Sequence, residues 1–343
     1  MLLQHLIQQQ VKLKQDNELF QFFKKVILQD STTLKLPDCL AVFFPGNVSR
    51  GIQKAVARIQ CVINLKTYQF LNFTVTGFTQ NDQSASGQII KLLSKGDLLI
   101  RDLGYFSVEA FKKIITKKAY FLSRLRYGMN LYDITGNAIN WKQLCKSRQT
   151  VDRIVLLSEQ KLAVRLVIIP LPADLVAEKI RKARNDRDRR LNHSKEYYQW
   201  LGYAVFITNV AEEVWTAKQV AAVYKIRWQI EIIFKSWKSG FNFQKILHDG
   251  CTNENRAWLN IYLLLLFICL FMLKIYIPYK DKIENQFARQ ISLMKLTMYV
   301  CQNLLVVFTF STAKLKEEIV RHCCYDKRSD RENMTDLIKF FKN

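Results

Sequence analysis

Tyr224-Lys225-Ile226-Arg227-Trp228-Gln229-Ile230-Glu231-Ile232-Ile233-Phe234-Lys235-Ser236-Trp237-Lys238 is the stretch on which the reading of this 343-residue chain turns. At 100° per residue it has two faces. Ile226, Ile230, Ile233 and Trp237 follow one another at spacings of four, three and four, which stacks them into one apolar stripe. Tyr224, Arg227, Glu231 and Lys238 fall in a second row, about a third of a turn away by the 3.6-residue period. The spacing therefore predicts one helix that pins itself to a core while holding out a phenol, a guanidinium, a carboxylate and an ammonium.

A carboxylate ligates hard cations, and Arg, Tyr and Lys hold phosphate oxygens. Together these groups are the parts of a metal-assisted phosphoryl-transfer site. A solvated amphipathic helix with i,i+4 pairs Arg227–Glu231 and Glu231–Lys235 has the same pattern, so the physics of the spacing leaves both readings open. The motif Y-x2-R-x3-E-x6-K is, however, similar at every fixed position to the YREK signature of DDE transposases of the IS-four insertion-sequence family. That resemblance demands two upstream aspartates, each at a strand end.

The first candidate lies in Val26-Ile27-Leu28-Gln29-Asp30-Ser31-Thr32. It reads as a buried strand stopping at an acid, although Asp-Ser-Thr is also the composition of a turn or a helix cap. The second lies in Asp97-Leu98-Leu99-Ile100-Arg101-Asp102-Leu103-Gly104-Tyr105-Phe106, where Leu98–Ile100 make a buried strand and Asp102 stands just past its end. Ligand chemistry gathers at the carboxyl ends of strands in open sheets. D-L-G-Y-F resembles the D-x-G-[YF] motif that carries the family's second catalytic Asp. Many members have Arg after that Asp; this chain has Leu103.

Lys and Arg outnumber Asp and Glu by 52 to 29, for a net charge of +23 and a pI near 9.7. Such an excess favours a polyanionic partner, nucleic acid first and an acidic membrane surface second. It is also a patch: residues 112–200 hold 20 Lys or Arg against 8 Asp or Glu. A hydrophobic content of 49% and an aromatic content of 12% argue for a folded chain. Eight cysteines without a CxxC pair lack metal-site spacing, and His322-Cys323-Cys324 reads as incidental. Free thiols suit a reducing cytoplasm. The opening MLLQHLIQQQ breaks its apolar run with polar residues, unlike a secretory leader. No Gly-rich phosphate loop, HExxH or nucleophilic triad spacing is present.

Along the rest of the chain, residues 1–23 read as a helix. Residues 55–65 and 68–76 read as a strand pair joined by Lys66-Thr67. Residues 88–95 and 108–117 read as helices and 119–125 as a strand. In 126–214, strand-like pieces at 153–157, 162–169 and 203–208 flank a charged run from Glu178 to Lys195. A solvated helix face and backbone-phosphate contact are both open for that run. Tyr197, Tyr198, Trp200 and Trp215 beside cations suit either base stacking or a core. Ala257–Ile277 is apolar, but 257–273 gives 17 uncharged residues against the roughly 20 a bilayer needs. It reads as a buried core helix, with a membrane span as the alternative. Residues 283–343 read as further helices with basic surfaces.

The family resemblance implies an α/β fold: an RNase H-like mixed sheet flanked by helices, a β-rich insertion before the Glu-bearing helix, and a helical C-terminus. The implied division is a helical remnant at 1–23, core at 24–125, basic insertion at 126–214, core again at 215–280, and a helical basic region at 281–343. It implies that Asp30, Asp102 and Glu231 are catalytic and metal-binding. They would hold two Mg2+ ions roughly 3.5–4 Å apart, with Mn2+ tolerated. Tyr224, Arg227 and Lys238 would grip DNA phosphates. The implied activity is phosphodiester hydrolysis at an element's end followed by strand transfer. The implied partners are terminal inverted repeats, target DNA and a second copy of the chain, in a nucleoid-associated cytoplasmic protein away from membranes. Members of the family carry a sizeable end-binding domain before the first Asp; only 29 residues precede Asp30 here. A chain truncated at its start is therefore expected. The competing readings are a DNA-binding remnant without turnover and, in a different class, a basic membrane-associated protein.

Overall fold

The computed structural model describes residues 2–8, 18–79, 82, 86–144, 148–186, 193–250, 253–307 and 309–325. They divide into two compact units, the first from 2–8, 25–79 and 228–325 and the second from 18–24 and 82–227. Both mix helices with sheet, so the chain is α/β as expected.

In the first unit, β1 (Val26–Leu36), β2 (Pro45–Ser49), β3 (Ile52–Asn64) and β4 (Gln69–Gly77) form an antiparallel sheet. One edge of β3 takes β1; the other takes β2 and then β4. Val26, Ile27 and Leu28 on β1 and Ile59, Cys61, Val62 and Ile63 on β3 are buried. Continuous burial of β-branched and apolar residues on both faces marks these as interior strands. Where β2 and β4 meet, a Cβ on Gly77 would come within 2.7 Å of the Pro45 ring, so a larger residue would force the strands apart. The predicted strand pair is present, and its turn carries Tyr68 at φ 55°.

Asp30 departs from the expectation. The strand does not stop there; it continues to Leu36, with Asp30 opposite Cys61 and Leu36 opposite Ala55. Leu34 and Leu36 alternate inward beyond it. The ladder therefore prevails over the local turn that Asp-Ser-Thr offers, although the Asp30 carboxylate still accepts from the Ser31 N–H at 2.8 Å.

The helices of this unit include Trp228–Lys235, Phe243–Gly250, Glu254–Phe271, Ile277–Phe287, Leu293–Gln302 and Thr312–His322. The Asn253 side chain caps the Glu254–Phe271 helix by accepting from Arg256 N–H. That helix buries Ala257, Ile261, Leu265, Ile268 and Cys269 and exposes Leu259, Tyr262 and Leu263. A wide turn at Met272–Tyr276 carries it on to Phe287. Counting 17 uncharged residues thus understates it. Among the described residues it is the one helix long and apolar enough to cross a membrane, and half of its most apolar window is buried in the fold.

In the second unit, β5 (Leu98–Arg101) runs parallel to β6 (Tyr120–Arg124), with the Val108–Thr116 helix crossing between them. Ser107 caps that helix, and its Phe111 stacks on Phe121 of β6 at 4.4 Å. β7 (Leu131–Tyr132), β8 (Val151–Leu157), β9 (Leu162–Pro170) and β10 (Tyr203–Thr208) extend the sheet antiparallel in the order β6-β10-β9-β8-β7. Across β8 and β9, Arg165 makes a two-pronged pair with Asp152 at 2.7 and 2.6 Å and also donates to the Val210 carbonyl. Trp215 is fully buried, donates to the Leu19 carbonyl at 2.9 Å, and packs on Phe20 and Phe23. It is core, which removes it as a stacking surface for a base.

The predicted helix at 88–95 shrinks to a tight run at Gln88–Leu92. The charged run begins as the Ala173–Arg184 helix. Its residues 187–192 lie outside the described residues, as do 9–17 of the predicted first helix and 326–343 of the tail.

The Arg165 side chain is only 4% exposed and that of Asp152 is 16%. Asp152→Ala leaves a buried guanidinium without its counter-charge, so a loss of about 3 kcal/mol is expected. Urea unfolding checks this: the midpoint falls while the slope holds. An unchanged midpoint would show that the pair contributes nothing.

Candidate functional site

The signature stretch is not one helix. The Ala217–Lys225 helix starts at a capping box built by Thr216 and Gln219 and carries Tyr224 in its last turn. Ile226 N–H bonds to the Val223 carbonyl at 3.0 Å and Arg227 N–H to that of Tyr224 at 3.2 Å, both three residues back. Such a turn is tighter than the α-helix. Helix resumes over Trp228–Lys235, which carries Glu231, and then widens over Ser236–Gly240, which carries Lys238. In the wide turn Gly240 lies against the Leu293–Gln302 helix; a Cβ there would stand 2.1 Å from Thr297 Oγ1. Each departure from 100° per residue shifts the phase, so the single polar row does not survive. The apolar stripe does: Ile226, Ile230, Ile233 and Trp237 are all buried.

In the second unit, Asp102 follows directly on buried β5. It occupies the cap position of the turn Leu103–Tyr105, yet its side chain makes no capping bond. Its carboxylate is therefore not consumed by the backbone and is 46% exposed. Two groups converge on one of its oxygens: Tyr224 Oη donates to Oδ1 at 3.4 Å, and Arg227 Nε lies 3.7 Å from it. Tyr224 packs on Phe206 at 5.2 Å, and the Arg124 guanidinium lies 5.9 Å from its ring centroid. Burial, and then the charge of Asp102, push the Tyr224 phenol well above its ordinary value; Arg227 and Arg124 pull the other way. Tyr224 is thus a neutral hydrogen-bond donor across the physiological range.

Arg101 fixes this strand end from below. Its guanidinium is 2% exposed, donates to both the carbonyl and the hydroxyl of Ser86, and faces the rings of Tyr105 and Phe111 at about 6 Å. Burial brings its pKa down to about 10, which leaves it charged. Ser86 Oγ in turn donates to the Tyr105 carbonyl at 3.0 Å. Neither Arg101 nor Arg124 stands out in the sequence, because an arginine closing an apolar run reads there as a solvated strand end.

The first unit holds Asp30 and Glu231, both half-buried, on β1 and on the Trp228–Lys235 helix. Asp30 faces Cys61, whose thiol is pushed up first by burial, then by Cys269 and then by the Asp30 charge. Lys238 is half-buried, and burial lowers its pKa. Trp228 is exposed at the start of its helix, with the Lys235 ammonium 5.9 Å from its ring.

The carboxylates Asp30, Asp102 and Glu231 are hard oxygen donors of the kind a divalent cation prefers. Their grouping does not match that chemistry. No set of three or more His, Cys, Asp or Glu among the described residues is arranged to hold a metal ion. Asp30 and Glu231 belong to the first unit and Asp102 to the second, and the Asp102 oxygen is engaged by Tyr224 and Arg227.

Residues 21–271 match the family model described as Transposase DDE domain. The transposase for insertion sequence element IS231F of Bacillus thuringiensis subsp. israelensis is 29% identical, over 74% of this chain and 57% of its own length. The transposase for IS231B of Bacillus thuringiensis subsp. berliner is 30% identical, over 72% of this chain and 56% of its own length. The chain thus spans little more than half the length of these relatives. A cryo-EM structure of the piggyBac transposase synaptic complex with hairpin DNA covers 91% of this chain and 60% of its own at 10% identity, with a TM-score of 0.42; a likeness that weak carries nothing further. Asp30, Asp102, Tyr224, Arg227, Glu231 and Lys238 all fall inside the 21–271 match, which takes in well over half of the sequence. The chain belongs to the transposase DDE-domain family.

Proposed function

We propose that this chain is the catalytic part of a DNA transposase that hydrolyses a phosphodiester at the end of an insertion sequence and transfers the freed 3′-OH into target DNA. The observation that carries the reading is the convergence of Tyr224 and Arg227 on Asp102 at the carboxyl end of β5. A neutral phenol donor and a guanidinium beside one carboxylate are suited to orienting a phosphodiester, the guanidinium by charge and fork geometry, the phenol by a directed hydrogen bond. Family membership and the formal charge of +23 support the same reading.

In this reading Asp30, Asp102 and Glu231 are the catalytic carboxylates. Mg2+ is the expected ion, with Mn2+ tolerated, and bound divalent metal supplies charge stabilisation at the reacting phosphate. Tyr224, Arg227 and Lys238 position the DNA backbone, and the basic stretch 126–214 adds backbone contacts. The substrates are the element's terminal inverted repeats and the target DNA, handled by a homodimer in the cytoplasm, on the nucleoid.

The test is metal-dependent nicking of a plasmid that carries the DNA flanking this gene on both sides. Asp30→Asn, Asp102→Asn and Glu231→Gln are each expected to cut the nicking rate by about a thousandfold or more while DNA affinity changes little. Wild type that binds this DNA yet nicks it no faster than Glu231→Ala would end the enzyme reading and leave a DNA-binding remnant. Lys238→Ala is expected to weaken substrate grip more than turnover.

Tyr224 adds a pH signature. Its folded-state pKa is raised above the ordinary value of 10.0. The unfolded chain therefore ionises this phenol first, so its stabilising contribution is whole below about pH 10 and declines as pH rises beyond that. In denaturant titrations, the stability difference between wild type and Tyr224→Phe should be flat from pH 7 to about 10 and shift against wild type above it. A difference that stays level through that range would place Tyr224 in an ordinary solvated setting.

A further inference from the structure

We infer that Arg124 and Lys179 form, beside Tyr224, an additional subsite for a phosphate of the nucleic-acid backbone, one that the signature motif does not include. The inference rests on the transposase reading and deepens it, by tying one helix of the basic stretch to a particular place on the DNA.

Arg124 is the last residue of β6, half-buried, with its guanidinium 5.9 Å from the Tyr224 ring centroid. Lys179 sits mid-way along the Ala173–Arg184 helix and is also half-buried. Its ammonium is disfavoured first by burial and then by the positive charge of Arg124. The fold thus brings two like charges from separate elements close enough to repel, in a partly desolvated place. Among the described residues neither is ion-paired with a carboxylate. Cations elsewhere in this unit are treated differently. Lys182, one turn along the same helix, is paired with Glu178 at 2.6 Å, Lys113 with Glu109 at 3.5 Å, and Lys142 with Glu196 at 2.8 Å.

Like charges held together without a counter-ion are a standing cost that an anion removes. An anion that reached both would also meet the Tyr224 hydroxyl, which burial keeps protonated. The donors are a fixed fork, a movable ammonium and a phenol, the mixture that phosphate recognition uses. A carboxylate ligand would use one donor pair; a phosphodiester, with two free oxygens, matches all three. Arg124 and Lys179 are mounted on a strand end and a helix rather than on loops, so the spacing is pre-set before DNA arrives.

Binding of the full chain to a fluorescent DNA duplex of arbitrary sequence, followed across salt concentrations, tests the assignment. Arg124→Gln and Lys179→Gln are each expected to weaken binding about fivefold to tenfold. Each should lower the slope of log affinity against log salt by about one, the signature of one lost phosphate contact. Lys179→Arg should retain most of the affinity. Lys182→Gln removes the same formal charge from the same helix and should leave the slope close to wild type. Unchanged slopes for both Gln variants, or an equal loss in Lys182→Gln, overturn the subsite while wild-type binding and nicking leave the transposase reading intact. Wild type that binds DNA without any salt dependence overturns the parent reading and the subsite together. Thermal unfolding of each variant separates a lost contact from a lost fold, and Lys179→Arg keeps the test decisive if a Gln variant unfolds.

Discussion

Asp102 keeps its reach because the chain ends a wholly buried strand one residue before it. Leu98, Leu99, Ile100 and Arg101 are all buried, and Arg101 is tied to Ser86 and faces two rings. The strand end is therefore fixed, and the next side chain must leave the sheet at a defined point. A carboxylate on a flexible loop would lose side-chain entropy on meeting each partner; here most of that ordering comes with the fold. The remaining polar groups of the second unit answer to this one charge: Tyr224 and Arg227 meet it directly, and Arg124 sits across the Tyr224 ring.

The balance of sign around that carboxylate matters more than any single contact. One acid faces a guanidinium, with further cations behind a phenol. Half-exposed ion pairs of this sort contribute little to stability. Their value lies in the field they set up, which is positive where a phosphodiester would lie and negative only at the single oxygen that would face it. Arg165 and Asp152 show the contrasting case: buried, mutually satisfied and remote from any chemistry, they hold two strands in register.

Much of the architecture could be read from periodicity. Strands at 98–100, 153–157, 162–169 and 203–208 emerge within a residue or two of the observed β5, β8, β9 and β10, because apolar runs bounded by polar turns leave few alternatives. The helix at 108–117 is likewise clear, with Ser107 at its start. Asp102 was legible for the same reason: an acid just after a short apolar run stands at a strand end. Asp30 was legible as a residue but not as a position, since the continuation of β1 depends on pairing with β3, and Ser-Thr-Thr gives no local sign of it. The partners of Tyr224 were beyond reach. Arg124 and Lys179 are separated from it by 100 and 45 residues, and only the folded sheet brings them near. Trp215 misled because an indole beside charged sequence looks like a surface, whereas Leu19, Phe20 and Phe23 enclose it.

The wide turn at Ser236–Gly240 has a consequence for how Glu231 and Lys238 are related. Seven α-helical steps amount to nearly two full revolutions, which would set an ammonium almost directly above a carboxylate and invite them to neutralise one another. A turn closed by bonds five residues back advances through fewer degrees per residue, so over this stretch the angle falls short by some tens of degrees. The ammonium is thereby swung off the meridian of the acid. An insertion of one residue, accommodated as a bulge where Gly240 meets Thr297, is how a helix can keep two opposite charges near each other in sequence yet apart in azimuth.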